Sequence, residues 1–461
     1  MGMTQEQKMG TMPVKKLLFE LAVPTITAQL INALYNIVDR VYIGHIAGVG
    51  GTALTALGVC FPLITLVSAT SVLISAGGAA RAAISMGRGD NDSAEKILGN
   101  AVSALLLISA TLFVIFFCFK KQLLYLFGAS DVTYVYASSY FGIYLLGTAF
   151  VQLSLGLNSF ITTQGFTKIS MKTVMIGAIT NIILDPILIF GLDMGVAGAA
   201  LATILSQALS ATWVVVFLTG KKTILRIKVK NMKIDPKILA PCVALGFAPF
   251  VMQSTESLIM LCFNNSLLKY GGDVAVGTMT VLASVMQMVM MPLSGLTQGS
   301  QPIVSYNYGA RNAQRVREAF GLLLRCCLTY SVCVWTVSMV FPGQIGALFT
   351  SDPEIISMVR WGLRVYMGGV IIFGAQIACQ QTFVALGNAK TSAFLAIFRK
   401  IIVLIPLIFL IPMAFPPEQK VLAVWLAEPI ADVAAVCVTT TMFRKQFRSA
   451  MAQLEMPESK F

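Results

Sequence analysis

The sequence is short of charge, of histidine and of any long polar stretch. Only 11% of its 461 residues are Asp, Glu, Lys or Arg, where soluble domains carry about 25%. That shortage excludes a soluble globular protein of this length. There is one histidine, His45. A lone imidazole supports neither an H-E-x-x-H site nor a His-based metal centre, and a surface position or a proton-handling one are its two readings. Nine cysteines are scattered (Cys60, Cys118, Cys242, Cys262, Cys326, Cys327, Cys333, Cys379, Cys437) and none forms a C-x-x-C pair. A zinc site or a disulfide framework is therefore not expected, and the thiols read as small apolar fillers. Paired Asp-rich motifs are missing too, so nothing marks an intramembrane enzyme. No small-residue cleavage site follows a short apolar run near the N-terminus, so no signal peptide is expected.

What the chain has is apolar length. Hydrophobic residues make up 57% of it, and mean hydropathy is +0.80. Runs of about 20 apolar residues, enough to cross a bilayer core, recur from end to end. Twelve spans are predicted, near 17–46, 53–80, 95–119, 133–160, 169–191, 195–219, 238–268, 275–304, 315–341, 355–385, 391–413 and 421–443. Most of the 33 Lys and Arg fall at the N-terminus, at 81–96, 168–172, 221–237, 311–325 and 390–400, and at the C-terminus. These ends share one side of an even-numbered layout. The other side holds Arg40, Lys120, Lys121, Lys269, Arg360, Arg364 and Lys420. Basic residues stay cytoplasmic, so both termini are expected there, in a multi-pass protein of the plasma (inner) membrane. The net charge of +13 is then a topology signal. It calls for a phospholipid bilayer, not for a nucleic acid.

The basic stretch 221–237 sits mid-chain and invites a comparison of the halves. A shift of 222 residues brings Gly77 onto Gly299, Gly87 onto Gly309, Tyr144 onto Tyr366, Gly147 onto Gly369, Gly165 onto Gly387 and Ser170 onto Ser392. Each half has an even number of spans, so the repeat is parallel, about an axis along the membrane normal. The expected fold is an all-α integral membrane protein of 12 transmembrane helices. It forms two six-helix lobes related by a pseudo-twofold axis: residues 1–220 as the N-terminal lobe, 221–237 as a cytoplasmic linker, 238–461 as the C-terminal lobe. A monomer is expected.

Polar residues inside these spans are costly and usually functional. In span 1, Gln29, Asn32, Asn36 and Asp39 line one face. In span 5, Asn181 and Asp185 are four apart and Pro186 follows. In span 6, Thr203 and Gln207 are four apart. At the 222 shift Asn181 and Asp185 fall on Val403 and Leu407, so the acid of span 5 belongs to the first half alone. Two acids in a low dielectric do not both stay ionised: one takes a proton, or both share a hard cation. The alternative is a structural network tying spans 1, 5 and 6 together. The second half has its own polar set. Gln253, Glu256, Met260 and Asn264 share a face of span 7, Glu428 and Asp432 flank Pro429 in span 12, and Gln376 and Gln380 are four apart in span 10. These acids either bind a cationic substrate, form a second protonation site, or serve structure. Of 23 methionines, Met286 and Met290 in span 8 join Met260 as candidate lining of a pocket for varied apolar shapes, with core filling the alternative. Pro24 in span 1 and Pro186 in span 5 mark hinges.

These features resemble the multidrug and toxin extrusion (MATE) family, in its MepA-like and DinF-like bacterial branch. The resemblance rests on six plus six spans, Pro24 to Asp39 in span 1, Asn181 to Pro186 in span 5, Thr203 in span 6, and the cytoplasmic segments MGRGDNDSAEK (86–96) and YGARNAQR (308–315). It implies export of cationic, often aromatic compounds against an inward flow of H+ or Na+, with no cofactor. By that resemblance Asp39, Asn181, Asp185 and Thr203 form the cation site, and Glu256 matches the acid of span 7. Gln376 stands where some members carry an acid. The alternative function is a flippase for lipid-linked precursors, which favours a cleft rich in Arg and Lys; the spans offer mainly Arg40.

Overall fold

The structure is a computed structural model and describes residues 4–350 and 352–456. Helices account for its regular structure, and no strand occurs among the described residues. The first half runs α1 (Gln5–Thr11), α2 (Val14–Gly44), α3 (Gly50–Gly87), α4 (Asn91–Cys118), α5 (Lys120–Leu126), α6 (Asp131–Leu146), α7 (Thr148–Thr163), α8 (Thr167–Pro186) and α9 (Gly195–Thr219). The second runs α10 (Pro236–Ser254), α11 (Glu256–Gly309), α12 (Ala313–Val340), α13 (Pro342–Phe349), α14 (Pro353–Tyr366), α15 (Val370–Ala385), α16 (Ala389–Ile397), α17 (Ile405–Leu410) and α18 (Lys420–Glu455). The last residue of α8 leads into a π-helical turn, Ile187–Gly191, and Phe398–Leu404 forms another between α16 and α17.

Nine helical stretches among the described residues are long and apolar enough to cross a bilayer. The pairs α6–α7 and α14–α15 add two more crossings, each bent, by 58° and 50°. Pro236–Gly309, one of the nine, has 74 residues, about 110 Å as a straight helix. Gly272, at φ 64° and ψ −160°, breaks it, so it makes two crossings. With that division the count agrees with the twelve spans read from the sequence.

The repeat is visible in local geometry. The two bends fall at Gly147 and at Met367–Gly369, equivalent positions in the halves. Asp90 caps α4 by accepting from Ser93 N (3.0 Å), and Asn312 caps α12 by accepting from Arg315 N (3.1 Å). Gly165 and Gly387 close equivalent helices at φ +83° and +79°, a conformation glycine adopts without steric cost.

Each half has its own apolar core. One gathers Ile43, Leu63, Phe141 and Tyr144; the other gathers Phe263, Met279, Leu363 and Trp425. The halves meet along a seam where α3 packs on α10 and α11, and α2 packs on α11. Thr25 Oγ1 donates to the Gly295 carbonyl across it (2.6 Å). The close approaches at this seam involve residues 21–26, 73–87, 242–246 and 295–309. All belong to the helix halves nearest the chain termini. Arg311, at the end of the same seam, donates to the carbonyls of Gln453 and Met456.

Two polar segments are more ordered than their composition suggests. The stretch 221–237 is held on the end of α4. Gln164 Oε1 accepts from Thr223 Oγ1, Ile224 N and Leu225 N at 2.8, 2.8 and 2.9 Å. Buried Glu95 pairs with Lys228 and accepts from Arg226 N (3.2 Å). Near the N-terminus, Thr4 and Gln7 form a capping box that starts α1. Asn91 donates to Glu6 (3.0 Å), and Arg315 donates to the carbonyls of Met9 and Met12 (3.0 and 2.8 Å). Helix α1 thus touches both halves at the closed end.

Candidate functional site

Helix α2 lies against α8, and that packing decides where Asp39 goes. Its side chain leaves the exposed face of Leu34, Ile37 and Val41 and turns inward, only 9% exposed. Asp185 and Asn181, four apart on α8, are buried beside it, and Asn181 Nδ2 donates to Asp185 Oδ1 (3.3 Å). The carboxyl groups of Asp39 and Asp185 come within hydrogen-bonding reach of each other. Three buried oxygens here find no donor: Asp39 Oδ1, Asn181 Oδ1 and Asp185 Oδ2. Two carboxylates in contact repel unless a proton or a cation lies between them. The donor set is all oxygen, which suits a proton or a hard cation. Groups of three or more His, Cys, Asp or Glu able to hold a metal are absent among the described residues.

Thr203 on α9 lines a pocket together with Tyr35 and Asn181, its hydroxyl donating to the Ala199 carbonyl (3.0 Å). Tyr140 of α6 lies beside it, and Tyr35, one turn before Asp39, lies near both acids. This small pocket adjoins them, lined by Asn32, Tyr35, Asn158, Asn181, Thr203 and Gln207 among others. Gln207 accepts from Ser154 Oγ (2.5 Å). Asn36 is exposed and donates to the Asn32 carbonyl (2.7 Å). Pro24 is buried within α2, and Pro186 ends α8 at the π turn. Arg40 turns away to the Phe61 ring, 5.4 Å from its centroid. His45 sits exposed at the end of α2, Nδ1 2.7 Å from the Val41 carbonyl.

The second half is built differently. Glu428 and Asp432 on α18 are buried, and Arg399 reaches both. Its Nη2 donates to Glu428 Oε1 (2.8 Å) and Asp432 Oδ1 (2.7 Å), its Nε donates to the same Asp432 oxygen (3.0 Å), and its guanidinium stacks 4.5 Å from Phe373. Lys400, 3% exposed, pairs with Glu256 and donates to the Met252 carbonyl (2.7 Å). Gln376 and Gln380 are buried and bonded to one another (2.5 Å). Gln253 is half-buried. Met260, Met286 and Met290 are partly buried and pack on the C-terminal core.

Here the structure corrects the sequence reading. Arg399 and Lys400, counted above with the basic cytoplasmic end 390–400, are 6% and 3% exposed in the π turn after α16. Glu428, Asp432 and Glu256 draw them inward, because a buried charge is tolerable only when paired. Tyr35 and Tyr140 were also missed. Tyr35 carries a usable signal, since it stands four residues before Asp39 on one helix.

A family model described as MatE matches residues 24–187 and 249–410, most of the chain. The two matched segments start at 24 and 249, the internal repeat again. The chain belongs to the MatE family. That family consists of membrane transporters, so this MatE chain is a multi-pass membrane transporter and not an enzyme. Its relatives include the multidrug export protein MepA of Staphylococcus haemolyticus (strain JCSC1435), 25% identical over 93% of each chain. MepA of Staphylococcus aureus (strain MSSA476) is 24% identical over 92% of this chain and 93% of its own. Among solved structures, an outward-facing multidrug resistance MATE transporter of the MOP superfamily superposes with a TM-score of 0.90 at 21% identity. It covers 99% of this MatE chain and 100% of that one. At that identity the likeness establishes the fold.

Proposed function

We propose that the chain is a secondary antiporter that exports cationic, amphipathic compounds, drugs or toxins, in exchange for inward H+ or Na+. The observation that carries this reading is the Asp39–Asp185 contact, with orphaned oxygens around it and a small pocket lined by their neighbours Tyr35 and Asn181. Such a pair takes up a proton or a hard cation and changes its charge when it does. Asp39, Asn181, Asp185 and Thr203 form the ion site in this proposal. Pro24 and Pro186 are the hinges that let α2 and α8 respond. Multidrug export is also what the MepA relatives are named for.

With cytoplasmic termini in a plasma (inner) membrane, a seam closed at the terminal end corresponds to the outward-facing state of this proposed cycle. The ion enters from outside, neutralises the pair and weakens substrate binding. The two lobes, 1–220 and 238–461, then rock about the seam as a monomer. One charge moving down 100 mV supplies about 2.3 kcal/mol, roughly fiftyfold in concentration. Gln253, Glu256, Gln376, Gln380 and the N-lobe residues Asn36 and Gln207 line the substrate path. The flippase alternative needs cations free to hold phosphate, whereas Arg399 and Lys400 are held by carboxylates.

The test is efflux from proteoliposomes under separate H+ and Na+ gradients, with wild type and Asp39→Asn. Coupled efflux in wild type and its loss in a folded Asp39→Asn protein supports the proposal. Unchanged efflux by Asp39→Asn sinks it.

A further inference from the structure

The two lobes carry different chemistry at equivalent places. Shifts of 225 and 222 residues put Asn264 at the position of Asp39 and Leu407 at that of Asp185. The C-terminal lobe therefore lacks the facing carboxyl pair of its twin. It has three carboxylates, Glu256, Glu428 and Asp432, and supplies two cations of its own, Arg399 and Lys400.

These two bases are not alike. Arg399 is committed on every side that matters: Asp432, Glu428 and the face of Phe373 hold it, and its carboxylate partners are as buried as it is. Removing it leaves two buried charges unmatched, so it is structural. The Lys400 pair is lopsided. The Lys400 side chain is 3% exposed, whereas that of Glu256 is 65% exposed. Glu256 can be reached by a molecule outside the lobe while Lys400 holds it from within. Lys400 also has somewhere else to go. Its Nζ is bonded to the Met252 carbonyl (2.7 Å) independently of Glu256. Met252, Gln376, Gln380 and Arg399 pack directly around it, with no water-sized space between them. Gln376 Oε1, buried among them, has no hydrogen-bond partner. An ammonium leaving Glu256 keeps one acceptor and gains a second.

We propose that Lys400 is a tethered cation that occupies Glu256, and that a cationic substrate gains this carboxylate only by displacing the lysine toward Gln376. The inference rests on the transport reading above for the substrate's charge. A tether gives Lys400 an effective concentration in the millimolar range or higher. A small inorganic cation offers Glu256 nothing the ammonium lacks and does not displace it. A large aromatic cation adds apolar contact and does. Lys400 thereby selects organic cations over inorganic ones and keeps coupling-ion binding in the N-terminal lobe.

The experiment measures binding of ethidium, an aromatic monocation, and of phenanthridine, its uncharged relative, to purified protein in detergent micelles. The proteins are wild type, Lys400→Met, Glu256→Gln and the double variant. Lys400→Met is expected to bind ethidium about fivefold more tightly or better, the worth of one partly exposed ion pair, with phenanthridine unchanged. Adding Glu256→Gln removes that gain. Lys400→Met leaves the exposed Glu256 in contact with solvent, so folding is expected; Lys400→Gln serves as the second variant. Ethidium affinity equal to or weaker than wild type in both Lys400 variants, or an equal gain for phenanthridine, overturns the assignment and leaves the pair purely structural. Wild-type protein that binds ethidium no better than phenanthridine overturns the cationic-substrate reading itself.

Discussion

Gly87 and Gly309 lie reciprocally across the seam between the halves. A Cβ on Gly87 would stand 1.9 Å from the carbonyl oxygen of Tyr306, and one on Gly309 would stand 2.0 Å from that of Ile84. Tyr306 and Ile84 are themselves equivalent in the repeat. The contact is thus self-complementary, as at a twofold interface between two subunits. No rotamer relieves a clash with backbone. Gly87→Val or Gly309→Val is expected to disfavour this closed arrangement by about 1–3 kcal/mol, the usual cost of overpacking. Distance measurements between labels at the terminal ends of the two lobes should show that end opening. Unchanged distances in both variants would contradict the seam as the element that holds it shut.

The acid pair makes a second prediction. Asp39 and Asp185 share one function if they share one proton or cation, so their losses should not add. Asp39→Asn, Asp185→Asn and the double variant are each expected to abolish gradient-driven efflux to the same floor. Thr203→Ala, in the lining of the pocket, should lower it severalfold at most. A double variant measurably worse than either single one, in proteoliposomes, would show that the two carboxyls act separately.

How far the sequence reveals this arrangement depends on the kind of signal. Spans are legible because each apolar run must satisfy its backbone internally in lipid. The repeat is legible because its glycines sit where lobes touch or helices turn, and nothing larger fits. Asp39 and the Asn181–Asp185 pair stand out because a polar stripe on an apolar helix needs an explanation. That Asp39 meets Asp185 depends on how α2 packs against α8, which no spacing encodes. Arg399 and Lys400 were misplaced for a related reason. A base near a cytoplasmic end obeys the positive-inside rule whether it is solvated or turned inward, and only the acids on a distant helix decide. The E-x3-D spacing of Glu428 and Asp432 was visible, but its partner was not.

Arg399 supports a third prediction. It is buried between Glu428 and Asp432, and removing one partner from a buried ion cluster typically costs about 3–5 kcal/mol. Arg399→Met should lower the unfolding midpoint sharply. Adding Glu428→Gln and Asp432→Asn to it should recover much of the loss, because uncharged partners no longer demand a cation. Thermal unfolding of the three proteins in one detergent checks this, and a triple variant less stable than Arg399→Met would count against the charge argument.

The linker offers a last prediction that needs no transport assay. Gln164 is fully buried, and its Oε1 alone accepts from Thr223 Oγ1, Ile224 N and Leu225 N. Gln164→Ala leaves Ile224 N and Leu225 N without their acceptor, at about 1–3 kcal/mol for each that stays buried, while Thr223 Oγ1 keeps the Leu225 carbonyl. The cheaper response is for the segment to leave α4 and hydrate its donors. That frees the backbone at Lys221, Lys222, Arg226, Lys228, Lys230 and Lys233, most of whose side chains are already exposed, to enter a protease between the two halves of the chain. Trypsin should therefore cut Gln164→Ala protein into two large fragments at least about tenfold faster than wild type, since local opening sets the cleavage rate. Glu95→Gln, which weakens the Lys228 pair but leaves the Gln164 contacts, should fall between them. Equal cleavage rates in all three proteins would mean that the segment is already open, and that the bonds to Gln164 do not hold it.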